Sequence, residues 1–270
     1  MDSRTGKRIR LSRLKEPTSD KYFVVAYSHG VLLGPSRGMM TLAGMRSFVS
    51  SINSVPAVMI TPGLVTQMED CFIGVNRPSL VIHLDWQNHS RAILPYREGA
   101  SAQLADIDRV VAAGADCVMT YLYVGHEDVR EERQEIERNA RIVNMAERYG
   151  LPVMIEPRSA REKSIPADKT DPELMAMYCR LSAEIGADLV KCIYPGTTEA
   201  MQQIVETCPA PLLVAGGAKK SDEDQAGLDI AQSALDAGAA GLVFGRNIYQ
   251  ADAPQKVIDQ INSLLHGHEG

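Results

Sequence analysis

Short apolar runs rich in valine, isoleucine and leucine recur along the chain, and most are followed by a longer stretch with helical periodicity. There are eight such runs: Tyr22–Ser28, Ala57–Thr61, Leu80–Asp85, Cys117–Val124, Pro152–Glu156, Leu189–Tyr194, Pro211–Ala215 and Gly241–Gly245. Runs of this length are the pattern of strands buried on both faces of a parallel sheet. The periodic stretches predict helices over Gln103–Ala113, Val129–Tyr149, Pro172–Ile185, Thr198–Thr207, Glu223–Ala237 and Pro254–Leu265, with a further one over Met39–Ile52. Thr66–Pro78 and Trp86–Gly99 read as less regular connections. The tracts Gly114-Ala115-Asp116-Cys117-Val118 and Gly186-Ala187-Asp188-Leu189-Val190 echo each other, with Gly238-Ala239-Ala240-Gly241-Leu242-Val243 as a looser third copy. Each ends a helix and opens a strand. A glycine at the left-handed cap explains this as ordinary loop chemistry, and an internal repeat explains it equally well.

Alternation of strand and helix over 270 residues, without a Pro/Gly/Ser linker, predicts α/β architecture: one (β/α)₈ TIM barrel spanning residues 1–270. Residues 1–21 form a short N-terminal extension to it. A doubly wound open sheet is the alternative, but no GxGxxG follows the first run.

Composition narrows the partners. With 45% hydrophobic and 23% charged residues the chain has the apolar content for a large core. A formal net charge of −6 argues against nucleic acid, which demands a basic field. No run of about 18 apolar residues exists for a membrane span, and Met1–Lys15 has no apolar signal-peptide core. The five cysteines form no CxxC pair and four lie in apolar segments, the pattern of buried reduced thiols. The six histidines show no metal-ligand spacing, so neither a metal nor a cofactor is expected. The expectation is a cytoplasmic homo-oligomer acting on a small molecule.

Barrel enzymes build their sites at the C-terminal strand ends. Those ends read Ser28 and His29; Thr61; His83 and Asp85; Tyr121 and Tyr123; Glu156 and Arg158; Lys191 and Tyr194; Gly216 and Gly217; Gly245, Arg246 and Asn247. Lys191 is the sharpest signal, because it interrupts the apolar run Leu189-Val190-Lys191-Cys192-Ile193. Burial there favours an ion pair with a neighbouring carboxylate such as Glu156, or a neutral amine that attacks a carbonyl to form a Schiff base. Gly216-Gly217 and Gly245-Arg246 follow the seventh and eighth runs, where barrels frequently hold a phosphate on glycine amides, with Arg246 as an added donor. Glu156 becomes a candidate proton shuttle if burial raises its pKa, while Asp85, Tyr121 and Tyr123 are further candidates for catalysis or for rim hydrogen bonding.

Several of these segments together are familiar: Gly6-Lys7-Arg8-Ile9-Arg10-Leu11-Ser12-Arg13-Leu14, Ser28-His29-Gly30 with Gly34-Pro35, Glu156-Pro157-Arg158, Asp188-Leu189-Val190-Lys191, Cys208-Pro209-Ala210-Pro211, Ala215-Gly216-Gly217 and Gly245-Arg246-Asn247-Ile248-Tyr249-Gln250. The chain resembles the archaeal-type class I aldolase superfamily over nearly its whole length. That superfamily includes class I fructose-bisphosphate aldolases, 2-amino-3,7-dideoxy-heptulosonate synthases and the phosphorylated autoinducer-2 thiolase. The resemblance implies that Lys191 is the Schiff-base lysine and that Gly217, Gly245 and Arg246 hold a phosphate, with Gly216 beside them; on the same rim Ser28, His29 and Arg158, and His83 with them, are candidates to hold substrate. Two departures stand out: Ser28-His29-Gly30 where the family reads Asp-His-Gly, and Glu156-Pro157-Arg158 where it reads Tyr-Pro-Arg. The expected activity is C–C lysis or synthesis through a lysine imine of a phosphorylated keto substrate. The alternatives are acyl transfer from a phosphorylated diketone to coenzyme A, and a non-catalytic barrel that binds a sugar phosphate.

Overall fold

The computed structural model describes residues 2–52, 54–89, 96–218 and 225–267. Eight parallel strands close into a barrel in sequential order: β1 (Tyr22–Ala26), β2 (Ala57–Ile60), β3 (Ser79–His83), β6 (Cys117–Val124), β7 (Val153–Ser159), β8 (Leu189–Ile193), β9 (Leu212–Ala215) and β10 (Gly241–Phe244). The strands β4 (Asp85–Gln87) and β5 (Ser101–Gln103) form a separate antiparallel ribbon. Each expected run supplies one barrel strand.

Strand alternation sorts the residues into two cores. Phe23, Val25, Val58, Ile60, Ile82, Val118, Val153, Val190 and Val214 point outward beneath the helices. Val24, Met59, Val81, Met119, Met154, Leu189, Leu213 and Val243 fill the interior. Parity then places the polar residues one or two steps further along each strand on the inward face at the C-terminal mouth.

The helices between the strands are fixed by their ends. Thr41, Asp128, Asp171 and Thr197 cap α3 (Leu42–Ser51), α5 (Val129–Arg148), α6 (Pro172–Ile185) and α7 (Thr198–Thr207) by accepting from first-turn amides. The echoing glycines are resolved as caps. Gly114, Gly186 and Gly238 have φ of 84°, 113° and 86°. In each case the glycine amide donates three residues back and the following alanine amide donates five residues back, which is the Schellman arrangement. Gly150, at φ 58°, closes α5 with the same two bonds, so the motif is loop chemistry shared by four βα units.

One expectation is corrected. Gln103 does not begin a helix: it pairs with Asp85 in the ribbon, and α4 runs only over Ile107–Ala112. The N-terminal extension is not featureless. It contains α1 (Ser3–Ser12), which no apolar stripe announces because none of its residues is buried. The expected helix over Glu223–Ala237 appears as α8 (Gln225–Asp236), with residues 223 and 224 outside the described residues. The chain ends in α9 (Arg246–Tyr249) and α10 (Pro254–His266). Among the described residues no helix is long and apolar enough to cross a membrane.

The extension closes the N-terminal end of the barrel. Leu14, fully buried, plugs the interior core, and its carbonyl accepts from Phe23 N. Lys7 bonds Glu147 and lies 3.0 Å from Asp188, while Arg13 pairs with Asp116 at 2.9 Å. Asp116 and Asp188 immediately precede β6 and β8, so these pairs bind the helix to the strand starts.

Candidate active site

Lys191 and Glu156 meet at the open end. The register of β7 on β8 pairs Met154 with Leu189 and Ile155 with Val190, so the next inward step brings Glu156 beside Lys191. The ammonium Nζ lies 2.6 Å from Glu156 Oε2, and the two residues are only 7% and 2% exposed. The other carboxylate oxygen lies 3.4 Å from Arg158 Nη1. Arg158 is itself clamped by Glu162, which accepts from its Nε at 2.9 Å and from its Nη2 at 2.6 Å. Arg158 therefore braces Glu156 and has its fork already engaged, a different use from the substrate contact that its position suggested.

Burial pushes the Glu156 carboxyl upward, but Lys191 and Arg158, with a smaller contribution from His83, outweigh it and hold it below the ordinary carboxylate range. Of the two states left open by the sequence, a carboxyl raised by burial and an ionised partner of the lysine, the second is favoured because two cations converge on the same group. Tyr121 stands next to it on β6, in register with Glu156. Burial first, and the Glu156 charge second, hold the Tyr121 phenol well above its ordinary range, so it stays protonated.

Tyr121 and Tyr123 are held by groups that replace a missing strand. β3 pairs with β6 only as far as His83 opposite Met119, which leaves the last part of β6 without a partner on that side. Asp85 Oδ2 accepts from Tyr121 N at 2.7 Å and Glu135 Oε2 accepts from Tyr123 N at 3.1 Å. Arg138 Nη2 and Asn139 Nδ2 donate to the Tyr121 carbonyl at 2.6 and 3.0 Å. A buried strand edge needs such partners. Asp85 also accepts from Thr120 Oγ1 at 2.6 Å and Arg138 Nη1 at 3.0 Å, so its carboxylate turns toward α5 and the outward side of β6. The structure does not bring Asp85 into contact with Lys191.

Ser28 and His83 are hydrogen-bonded to each other across the mouth, Ser28 Oγ to His83 Nδ1, at 2.9 Å. His29 is partly buried between Gly245 and Tyr249, its ring centroid 5.5 Å from that of Tyr249. Burial, followed by Arg246 and Lys191, holds the His29 imidazole well below its ordinary range. His89, which sequence reading passed over, joins the same wall. Its Nδ1 lies 2.6 Å from Tyr123 Oη and its ring stands edge-on to Tyr121.

The two expected phosphate loops are adjacent, tied by the Asn247 side chain donating to the Gly216 carbonyl at 2.8 Å. Gly217 has φ 73° and nothing within 4 Å of where a Cβ would stand, which leaves open space on that side. At Gly245 a Cβ would lie 2.5 Å from the Ala26 carbonyl oxygen, so only glycine lets this turn sit against β1. Gly216 is required by packing: a Cβ there would meet Asn247 and Phe244. Arg246 is partly buried with its Nε unpartnered. Burial lowers its pKa, and no carboxylate lies within ion-pair distance of it among the described residues. An arginine in that condition is a ready anion partner.

Glu162, Arg138, Glu135 and His89 were the residues missed. Only the Arg158–Glu162 pair carried a local signal, a spacing of four. The others act across 12 to 53 residues of sequence, which no local pattern exposes.

A closed barrel with a lysine–carboxylate pair and glycine-lined loops at the C-terminal mouth is the layout of a barrel aldolase. Residues 23–251 match the DeoC/LacD family aldolase model, and the chain belongs to that family. An uncharacterised aldolase of Saccharolobus solfataricus is 31% identical over 262 residues, spanning 97% of this chain and 94% of that protein. The 2-amino-4,5-dihydroxy-6-oxo-7-(phosphonooxy)heptanoate synthase of Streptomyces griseus is 29% identical over 263 residues, spanning 97% and 90%. An archaeal fructose-1,6-bisphosphate aldolase structure, with its catalytic lysine bound to a carbinolamine intermediate, superposes with a TM-score of 0.82. At 24% identity over 97% of this chain and 100% of that one, this likeness carries the fold.

Proposed function

We propose that the protein forms a Schiff base between Lys191 and a phosphorylated keto compound and then makes or breaks the adjacent C–C bond. One observation carries the reading: a buried amine 2.6 Å from a buried carboxylate, on inward positions of the barrel mouth it shares with the unpaired Arg246. A merely structural pair explains the contact but gives no reason for an unsatisfied arginine beside it.

The chemistry follows from the pair. Glu156, ionised in the resting site, takes a proton from the Lys191 ammonium and frees the amine for attack. The carbonyl oxygen leaves as water after receiving protons that Glu156 returns, and the carboxylate is regenerated as the iminium forms. The iminium draws electrons from the neighbouring C–C bond, so cleavage leaves a stabilised enamine. In this reading Glu156 removes the hydroxyl proton during cleavage and returns it to the enamine carbon. Tyr121 stands beside the carboxylate and keeps its own proton. Arg246, with the amides around Gly217 and Gly245, holds the phosphate, while Ser28 and His29 line the same mouth. Arg158 acts through Glu156, and Asp85 acts by holding Tyr121.

Borohydride reduction with dihydroxyacetone phosphate tests the reading. A stable adduct whose mass maps to Lys191 supports it, and an unmodified protein at saturating ketone overturns it. Repeating turnover on a phosphorylated diketone with and without coenzyme A separates acyl transfer from lysis. A barrel that only binds sugar phosphate would show phosphate-competitive binding without any adduct.

A further inference from the structure

His83 retains hydrogen-bonding capacity that the protein leaves unused. It is the last residue of β3, fully buried, with its ring centroid 5.4 Å from that of Tyr121. Nδ1 faces Ser28 Oγ at 2.9 Å, whereas Nε2 is buried without a partner among the described residues. An orphaned imidazole nitrogen in the interior costs stability comparable to a lost hydrogen bond, so its retention beside the lysine calls for an occupant. Burial, and then the Lys191 charge, push the imidazole down to about 3. The ring is therefore neutral at working pH and carries a single proton.

Hydrogen-bond accounting decides which nitrogen holds it. The only hydrogen bond of the Ser28 hydroxyl among the described residues is to His83. If Nδ1 donated to Ser28, the hydroxyl proton of a buried serine would have no acceptor. With Ser28 donating to Nδ1, both groups are satisfied and the ring proton falls on Nε2. The unused group is then a neutral N–H donor in the same mouth as the Lys191–Glu156 pair.

We infer that His83 is a catalytic residue of imine formation, its Nε2–H donating to the carbonyl oxygen of the keto substrate while Lys191 attacks the carbonyl carbon. The inference rests on the Schiff-base reading and deepens it. In the step, the Nζ lone pair forms the C–N bond and the carbonyl π pair moves onto oxygen. That oxygen takes the proton Glu156 had accepted from the lysine ammonium, and His83 keeps its own proton throughout. A neutral donor suits the position, since an imidazolium would repel the lysine ammonium that must first collect there. Ser28 is a positioning residue that selects the tautomer.

The test joins spectroscopy with single-turnover trapping. Nitrogen NMR of ¹⁵N-histidine-labelled protein at pH 7, with His83→Gln to assign the signal, should show His83 neutral and protonated at Nε2. With dihydroxyacetone phosphate and borohydride, His83→Phe should slow imine trapping about 10²–10³-fold, the usual size of a lost oxyanion donor. Inhibition by inorganic phosphate should stay within about twofold, since phosphate uses the Arg246 side of the mouth. His83→Gln, which keeps an N–H donor, should recover part of the rate. Ser28→Ala should lose less than His83→Phe and shift the tautomer. Wild-type trapping by folded His83→Phe, or a proton found on Nδ1, would overturn the inference while Lys191 trapping leaves the Schiff-base reading intact. If His83→Phe does not fold, the tautomer and the Gln variant decide. Failure of the wild type itself to trap would remove both.

Discussion

Asp188 and Lys191 are three residues apart in the chain, yet each belongs to a lysine–carboxylate pair at an opposite end of the barrel. At the closed end Lys7 bonds Glu147 and Asp188, and Asp188 accepts in addition from Val153 N at 2.9 Å. One cation meets two carboxylates there. At the open end Glu156 meets Lys191 and Arg158, and Arg246 stands near with no carboxylate partner among the described residues. The two ends also differ in satisfaction. Both carboxylate oxygens of Asp188 are engaged, by Lys7 and by the Val153 amide, whereas the mouth holds His83 Nε2, His29 Nδ1 and Arg246 Nε without a hydrogen-bond partner among the described residues. The closed-end pair has its charge and its hydrogen bonds engaged, and the mouth leaves part of both open.

The comparison breaks most sharply at the lysines. Lys191→Met should abolish borohydride trapping and turnover while the barrel stays folded, because a side chain of similar size suits the interior. Lys7→Met should leave trapping intact and lower stability by roughly 1–3 kcal/mol through lost charged hydrogen bonds. Circular dichroism melts beside the trapping assay read both; trapping by Lys191→Met would dissolve the distinction between the ends. The next effect is at the carboxylate. Glu156→Gln should lower kcat about 10²–10⁴-fold, the range of a lost general acid–base, with trapping slowed but surviving. A near-native kcat would move the proton shuttle to Tyr121 or Tyr123. A smaller change is expected at the unpaired cation: Arg246→Ala should raise KM about 10–100-fold with less effect on kcat, and weaken inhibition by inorganic phosphate in parallel. Unchanged phosphate inhibition would show that the anion does not use this arginine.

Local pattern exposed the strands and, through parity, the inward polar residues. Lys191 was visible because a charge inside an apolar run is costly, and Glu156 because it occupies the same parity on the neighbouring strand. Hidden were the consequences of long-range closure. Asp85 has the parity of an inward residue after Val81 and His83, but β3 ends at His83 and the chain turns into the ribbon, so Arg138 captures the carboxylate from α5. Arg158 read as a substrate contact, and its clamp by Glu162 comes from the turn after β7. The helix α1 was invisible because it buries none of its own residues and works through ion pairs and the plug of Leu14 just beyond it.

The finest test of the comparison uses pH. Burial raises both lysine-paired carboxyls, but their neighbours decide the outcome in opposite directions. Asp188 stays above its ordinary 3.8, since Glu147 adds a like charge to the burial cost and Lys7 with the Val153 amide only partly offsets it. Glu156 falls below its ordinary 4.5, since two cations overcome the same cost. Stability follows the difference in protons bound by the unfolded and native states. For Glu156 the unfolded chain binds the proton more readily, so its contribution is present above pH 4.5 and is lost as pH falls through the lower folded value. For Asp188 the native state binds the proton more readily. Its contribution is present below pH 3.8 and is lost as pH rises through the higher folded value. Denaturant melts of wild type, Glu156→Gln and Asp188→Asn between about pH 3 and 6 measure each contribution by difference. The wild-type advantage over Glu156→Gln should shrink on acidification, and the advantage over Asp188→Asn should grow. Slopes of the same sign would mean that the surplus of cations does not distinguish the mouth from the closed end.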